Sequence, residues 1–230
     1  GADATPPQDA YVEFTDEGVN LVPEQYGTQV DASKLLPLVQ TALEAGNTRV
    51  TIDSGCYVAP SVTTESEEIR AIMEPVEKIQ GTTITYTIGD SQEVLDGSTT
   101  KSWICQDDEG NITVDSDDVT AYVQSLANKY NTWGNSREFT TTGGATVTVA
   151  GGNYGWSIDV SDELAQLLIN GESQTREPIY NATAARHGGN EIGDTYIEIS
   201  IDQQHMWFYK DGALYADTNI VTGDSGDGYD

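Results

Sequence analysis

The spacing of apolar residues changes period several times along the chain, and each change marks an element. Val119, Tyr122, Val123, Leu126, Ala127 and Tyr130 recur at intervals of three and four, which predicts a helix with one buried face. Ser116 stands ahead of it as the N-cap, and Asp117 and Asp118 complement the dipole in its first turn. The period then drops to two, so 137–141 and 146–149 read as the strands of a hairpin turned at Gly143-Gly144. A shorter helix is predicted behind a Ser161 cap, with Leu164, Leu167 and Leu168 inward and Gly171 as its stop. Nearer the N-terminus, Leu35, Leu36, Val39, Ala42 and Leu43 trace a similar helix ending at Gly46, with Pro37 marking an early turn or a kink. Thr64 and Glu67 have the spacing of a capping box ahead of Ile69, Ile72 and Met73, in a helix that the pattern interrupts at Pro75. Strands are expected over 82–88 and 101–105. Late in the chain Ile197, Ile199 and Ile201 alternate as a half-buried strand, 206–210 returns, and Asp211-Gly212 is a primed-type turn pair, giving a three-stranded meander.

The chain also repeats itself. Glu13-Phe14-Thr15, then Tyr26-Gly27 and Val30-Asp31-Ala32-Ser33, are answered by Glu138-Phe139-Thr140, Tyr154-Gly155 and Ile158-Asp159-Val160-Ser161. In both copies a Gly-bearing hairpin precedes Tyr-Gly and a helix follows Ser; beyond the helix, Asn47-Thr48-Arg49 corresponds to Gln174-Thr175-Arg176. The fold class expected is therefore α+β, a duplicated small helix-plus-antiparallel-hairpin module followed by the meander. The blocks are residues 1–60 for a partial first repeat, 61–175 for the second, 176–194 for a linker rich in Gly, Ala and Asn, and 195–230 for the terminal strands. The first copy has no helix before its hairpin, which suggests a chain cut inside an N-terminal unit.

The run REFTTTGG, VTV and GNYGWSID, followed by REPIYNA and IGDTYIEI, resembles the peptidoglycan-binding domain that precedes the catalytic domain in many Gram-positive L,D-transpeptidases. The later run YIEISIDQQHMWFYKDG, ending in IVTG, resembles the first strands of that catalytic domain. The resemblance implies a secreted or membrane-tethered cell-wall protein, peptidoglycan as partner, and a meander taken from a truncated β-sandwich. The family cross-links stem peptides through a cysteine thiolate activated by histidine. Its Ser-His-Gly-Cys motif is missing from these 230 residues, so this chain is expected to be inactive itself and to bind or position the enzyme. A non-binding spacer holding a catalytic domain off the membrane is the alternative.

Thirty-eight acids against ten bases give a formal net charge of −28. Within the screening length of about 8 Å such a chain repels nucleic acid and anionic lipid, so no nucleic-acid partner is expected. No apolar run approaches the roughly 20 residues of a membrane span. Cys56 and Cys105 fit no metal or Cys-x-x-Cys spacing; they read as buried inert thiols or, in a secreted protein, as a disulfide.

No cofactor or metal is implied. The Gly223-Asp224-Ser225-Gly226-Asp227 run resembles a serine-protease nucleophile segment but has no matching histidine motif, and reads as a polar loop. His187 reads as a linker residue, and His205 as a packing or turn-bonding group at a hairpin bend. The acidic runs 107–111 and 224–230 lack calcium-loop spacing. Aromatic rings remain as the groups able to stack on a sugar's C–H face, with Trp156 first, then Tyr154, Trp133 and Trp103. Trp156 stands where the other repeat has Thr28, so the module does not require an indole there. The meander, apolar and without a covering sheet, is expected to pack on the preceding module or to self-associate.

Overall fold

The computed structural model describes residues 4–161 and 163–223 and shows an α+β chain of small sheets and short helices. An antiparallel hairpin, β1 (Tyr11–Thr15) and β2 (Gly18–Val22), leads to α1 (Ala32–Glu44), a single 3-10 turn at Ser54–Cys56 and α2 (Glu67–Gln80). Then come β3 (Ile84–Ile88), β4 (Ser91–Leu95), α3 (Gly97–Thr100), a 3-10 turn at Lys101–Trp103, and the hairpin β5 (Ile104–Gln106) with β6 (Ile112–Val114). Next are α4 (Ser116–Tyr130), the hairpin β7 (Arg137–Thr140) with β8 (Thr146–Val149), β9 (Ser157–Ile158), α5 (Leu164–Asn170), β10 (Gln174–Arg176) and β11 (Tyr180–Ala182). The meander β12 (Tyr196–Ser200), β13 (His205–Lys210) and β14 (Ala213–Asn219) follows.

The described residues fall into two compact units. Among them, one is drawn from 4–83, 95–118 and 164–173, the other from 84–94, 119–161, 163 and 174–223. In the first, α2 buries Ile69, Val76 and Ile79, α5 buries Leu164, Leu167 and Leu168, and the two helices pack on each other and on β6. Trp103, Ile104 and Val114 complete that core. In the second, β10 pairs parallel with β3, whose Ile84, Tyr86 and Ile88 are buried. Val119, Val123, Leu126 and Ala127 form the buried face of α4, and Tyr122 lies 6.5 Å from the Tyr86 ring.

The repeat is visible in the hydrogen bonds. Asp31 Oδ1 accepts from the amide and hydroxyl of Ser33 at 2.9 and 2.6 Å; Asp159 Oδ1 accepts from those of Ser161 at 2.9 and 2.7 Å. The Asp31 amide donates to Cys56 O and the Asp159 amide to Ile179 O, both at 2.8 Å. Each helix also ends alike. Gly46 (φ +74°) donates to Leu43 O and Asn47 to Ala42 O, while Gly171 (φ +71°) donates to Leu168 O and Glu172 to Leu167 O. This is the Schellman closure, which places its C′ residue in the left-handed region that favours glycine.

Several local expectations change. Asp115, not Ser116, caps α4, its Oδ1 accepting from the amides of Asp117 and Asp118 at 2.8 and 3.2 Å. α2 begins at Glu67 after Ser66, and the Thr64 amide donates instead to Glu24, so the capping box does not form. Pro75 does not interrupt α2, nor does Pro37 break α1; both helices run continuously through their prolines. Residues 101–103 form a 3-10 turn where a strand was expected, and β4 and α3 were not foreseen. α1 buries none of its residues, leaving Leu36 and Leu43 exposed.

Candidate functional site

The sequence placed four aromatic residues as sugar-contacting groups, and the fold brings three of them together. Past the end of α4 the chain lies against 154–158. Asn131 Oδ1 accepts from the Ile158 amide (2.8 Å), the Thr132 and Trp133 amides donate to Trp156 O (2.9 and 3.0 Å), and Gly134 donates to Tyr154 O (3.1 Å). Gly155 permits this approach: at φ +129° a Cβ there would lie 2.5 Å from Thr132 O. Trp133, Tyr154 and Trp156 therefore share one region of the second unit. Trp103 belongs to the core of the first unit, only 7% exposed.

Trp156 is held on several sides. Its ring stacks on His187 with centroids 3.6 Å apart and planes 11° from parallel, meets Tyr180 edge-on at 4.9 Å, and its Nε1 donates to Arg186 O at 3.0 Å. The Tyr154 hydroxyl donates to Glu191 O (2.7 Å) and accepts from the Ala185 amide (2.8 Å), while the Arg137 guanidinium lies 5.2 Å from its ring centre. Arg137 also donates through Nε to Glu191 Oε2 at 2.9 Å, and this ion pair is largely shielded from solvent. Trp156 and Tyr154 thus fasten segment 180–194 onto the unit. His187, expected in a free linker, is one half of a ring stack. Of the four candidates, Trp133 is the exposed one, at 45%. Burial, and secondarily Glu177, pushes the Tyr180 phenol up to about 12.

A groove of about 600 Å³ opens beside this cluster, between the β7–β8 hairpin and the meander. Phe139, Val147 and Val149 line one side, Tyr196 and Trp207 the other, and Glu198 is its charged residue. Phe139 meets Tyr196 edge-on at 5.3 Å, and the Thr142 amide donates to Glu198. Trp207 was missed in the sequence. The signal for it was the meander's own alternation, because the register that turns Ile197 and Ile199 one way turns Tyr196, Glu198, Trp207 and Tyr209 the other. Ring faces beside hydroxyl, amide and carboxylate groups form a surface suited to saccharides.

Other candidate chemistry is less well placed. Cys56 is buried and Cys105 half-buried, and both are free thiols. Burial first, then Asp115, Asp107 and Asp118, push the Cys105 thiol up, which makes it a weak nucleophile. Asp107 uses its carboxylate to bind Asn111 and the Glu109 amide within its own turn, and these bonds hold its carboxyl below the usual range. His205 bonds Asn219 and Asp217 and lies against Trp207. Among the described residues no cluster of three or more His, Cys, Asp or Glu could hold a metal, and no helix is long and apolar enough to cross a membrane. The serine of the protease-like run, and the acidic run 224–230, lie outside the described residues.

Residues 4–51 and 62–177 match the family described as "Putative peptidoglycan binding domain", and the chain belongs to that family. Among solved structures it is similar to the Ldtfm–avibactam carbamoyl enzyme and to a mutant of Enterococcus faecium L,D-transpeptidase. Each is 34% identical with a TM-score of 0.48 over 67% of this chain. The aligned part spans 61% and 62% of those chains, about three-fifths of their length. No curated protein matches.

Proposed function

We propose that this chain binds peptidoglycan and positions an L,D-transpeptidase on it. The observation that carries the reading is the family match across both copies of the repeat. The terminal strands resemble the start of the transpeptidase domain. The catalytic Ser-His-Gly-Cys motif does not occur in these 230 residues, so the chain as given is inactive and any cross-linking activity requires residues beyond them. In this reading 1–60 and 61–175 descend from one duplicated module, 176–194 joins them to the terminal strands, and 195–230 opens the enzyme domain. The protein works outside the cell or in the wall, tethered to the membrane in its longer form. Trp133, 45% exposed, is the residue most available to a glycan, and its backbone is bonded to that of Trp156.

Co-sedimentation with peptidoglycan sacculi stripped of teichoic acid, at low and physiological salt, tests this. The chain is expected to pellet at both salts, and Trp133→Ala to weaken pelleting several-fold with unchanged circular dichroism. Trp156→Ala is expected to lower thermal stability as well. Protein that stays in the supernatant at both salts overturns the proposal in favour of a spacer that binds nothing.

A further inference from the structure

The second unit holds a further cavity of about 410 Å³, walled by the β3–β4 turn, the end of α4 and segment 187–191. His187 shapes one side. Its ring stacks on Trp156, and the turn closes on it at Gly89, where φ is +59° and a Cβ would lie 2.7 Å from the His187 Cβ. The cationic donors beside the cavity are already engaged. Lys129 donates to Glu93, as does the Tyr130 hydroxyl, and Arg137 donates through Nε and Nη2 to Glu191 Oε2. Two carboxylates on the lining keep acceptors free. Glu191 is only 9% exposed, and its Oε1 accepts no hydrogen bond among the described residues yet is not sealed from solvent. Asp90 is exposed in the turn, and its carboxylate has no hydrogen bond or ion pair among the described residues. The Lys129–Glu93 and Arg137–Glu191 pairs cancel, so Asp90 leaves the lining negative.

We propose that this cavity takes a primary ammonium group, carried by an amino sugar or by the side chain of a diamino acid. An ammonium has three donors and no acceptor, which complements a lining whose cations are engaged and whose carboxylates are not. Arg137 holds one oxygen of Glu191 in place, so the other is fixed in orientation and largely shielded, where a charge-assisted bond is strong. An anion would meet Asp90 and Glu191 unneutralised, and the chain's net charge of −28 draws cations towards it from every side. The polymer that carries the amine follows from the wall-binding reading above; the chemistry of the pocket follows from its own residues.

Amide NMR on the intact chain tests this, with glucosamine, N-acetylglucosamine, Nα-acetyl-lysine amide and its Nε-acetylated form as probes. The two free amines are expected to shift the Gly89, Asp90 and Gly188 signals and the two acetylated probes to leave them in place. Whichever free amine binds more tightly identifies the source as glycan or peptide. Asp90→Asn is expected to weaken binding roughly fivefold or more. Asp108→Asn removes the same charge from an exposed turn of the other unit and is expected to change nothing, which separates the pocket from general attraction to an acidic chain. Acetylated probes that bind equally well, an Asp90→Asn variant that binds like the parent, or no shift with any probe would each overturn the proposal. Sacculi whose amines have been acetylated are expected to pellet several-fold less protein than untreated ones. Shifts with the free amines beside untreated sacculi that pellet nothing would remove the wall reading and leave the pocket standing. Pelleting unchanged by acetylation, with no probe shift, would do the reverse.

Discussion

Single side chains fix the geometry of the aromatic region, and three of them are open to direct test. Arg137 and Glu191 form a shielded pair, and removing one partner leaves the other's charge buried. Arg137→Met is expected to destabilise the chain by about 3 kcal/mol in urea unfolding, and Arg137→Met with Glu191→Leu to recover most of that loss. Tyr122 and Tyr180 both have phenols pushed up to about 12, by burial first and by nearby Glu93 and Glu177 respectively. The fold favours their neutral forms, so their contribution to stability is complete below the ordinary tyrosine pKa of 10 and is lost as pH rises through about 12. Absorbance titration should show these two ionising late among the chain's twelve tyrosines, and joining the rest once urea unfolds it. The buried Tyr180 hydroxyl has no hydrogen-bond partner among the described residues, so Tyr180→Phe should cost nothing or stabilise by about 1 kcal/mol while deleting one late step. Sequence could nominate Tyr154 and Trp156 as aromatics worth attention. It could not show that their rings were already engaged, because His187, Ala185 and Glu191 reach them from a stretch whose Gly-rich composition reads as a linker.

Elements followed the apolar period closely where one face is buried, and less closely at their ends. The α4 stripe, the β7–β8 hairpin and the inward leucines of α5 were all legible. Caps were harder, since Asp115 and Ser116 are both good capping residues at adjacent positions. The structure distinguishes them: Asp115→Ala should cost about 1 kcal/mol and Ser116→Ala close to none, measured as shifts in urea midpoint. Pro75 looked like a break, and Pro37 like an early turn or a kink, because a proline lacks the amide a helix needs. Here both helices carry the proline within their span, and packing of α2 through Val76 and Ile79 just beyond Pro75 shows how tertiary contacts outweigh a local cost. The meander had the expected alternation, yet its isoleucines point outward, since a period of two tells which residues share a face and not which face is covered.

Charge and connectivity act on the whole molecule. A net charge of −28 stresses any compact state, so the melting temperature should rise by several degrees between 20 mM and 500 mM NaCl. Addition of duplex DNA should leave it unmoved, and a salt-sensitive shift with DNA would remove the exclusion of nucleic acid drawn from charge. The likeness of two turns could be read from sequence because their residues, Asp31 with Ser33 and Asp159 with Ser161, make the same hydrogen bonds twice. Less legible was the way each compact unit gathers three separate stretches, because parallel pairing over long separations leaves no local pattern. The pairing of β10 with β3 sets Gln174 beside Ile84, and Ser173 Oγ accepts from the Thr83 amide. A ribosome or an export channel delivers the chain from its N-terminus, so β3 waits for about ninety residues before its parallel neighbour arrives. During that interval β3 has β4 on one edge and nothing on the other, and the sheet is completed only when residue 176 is free.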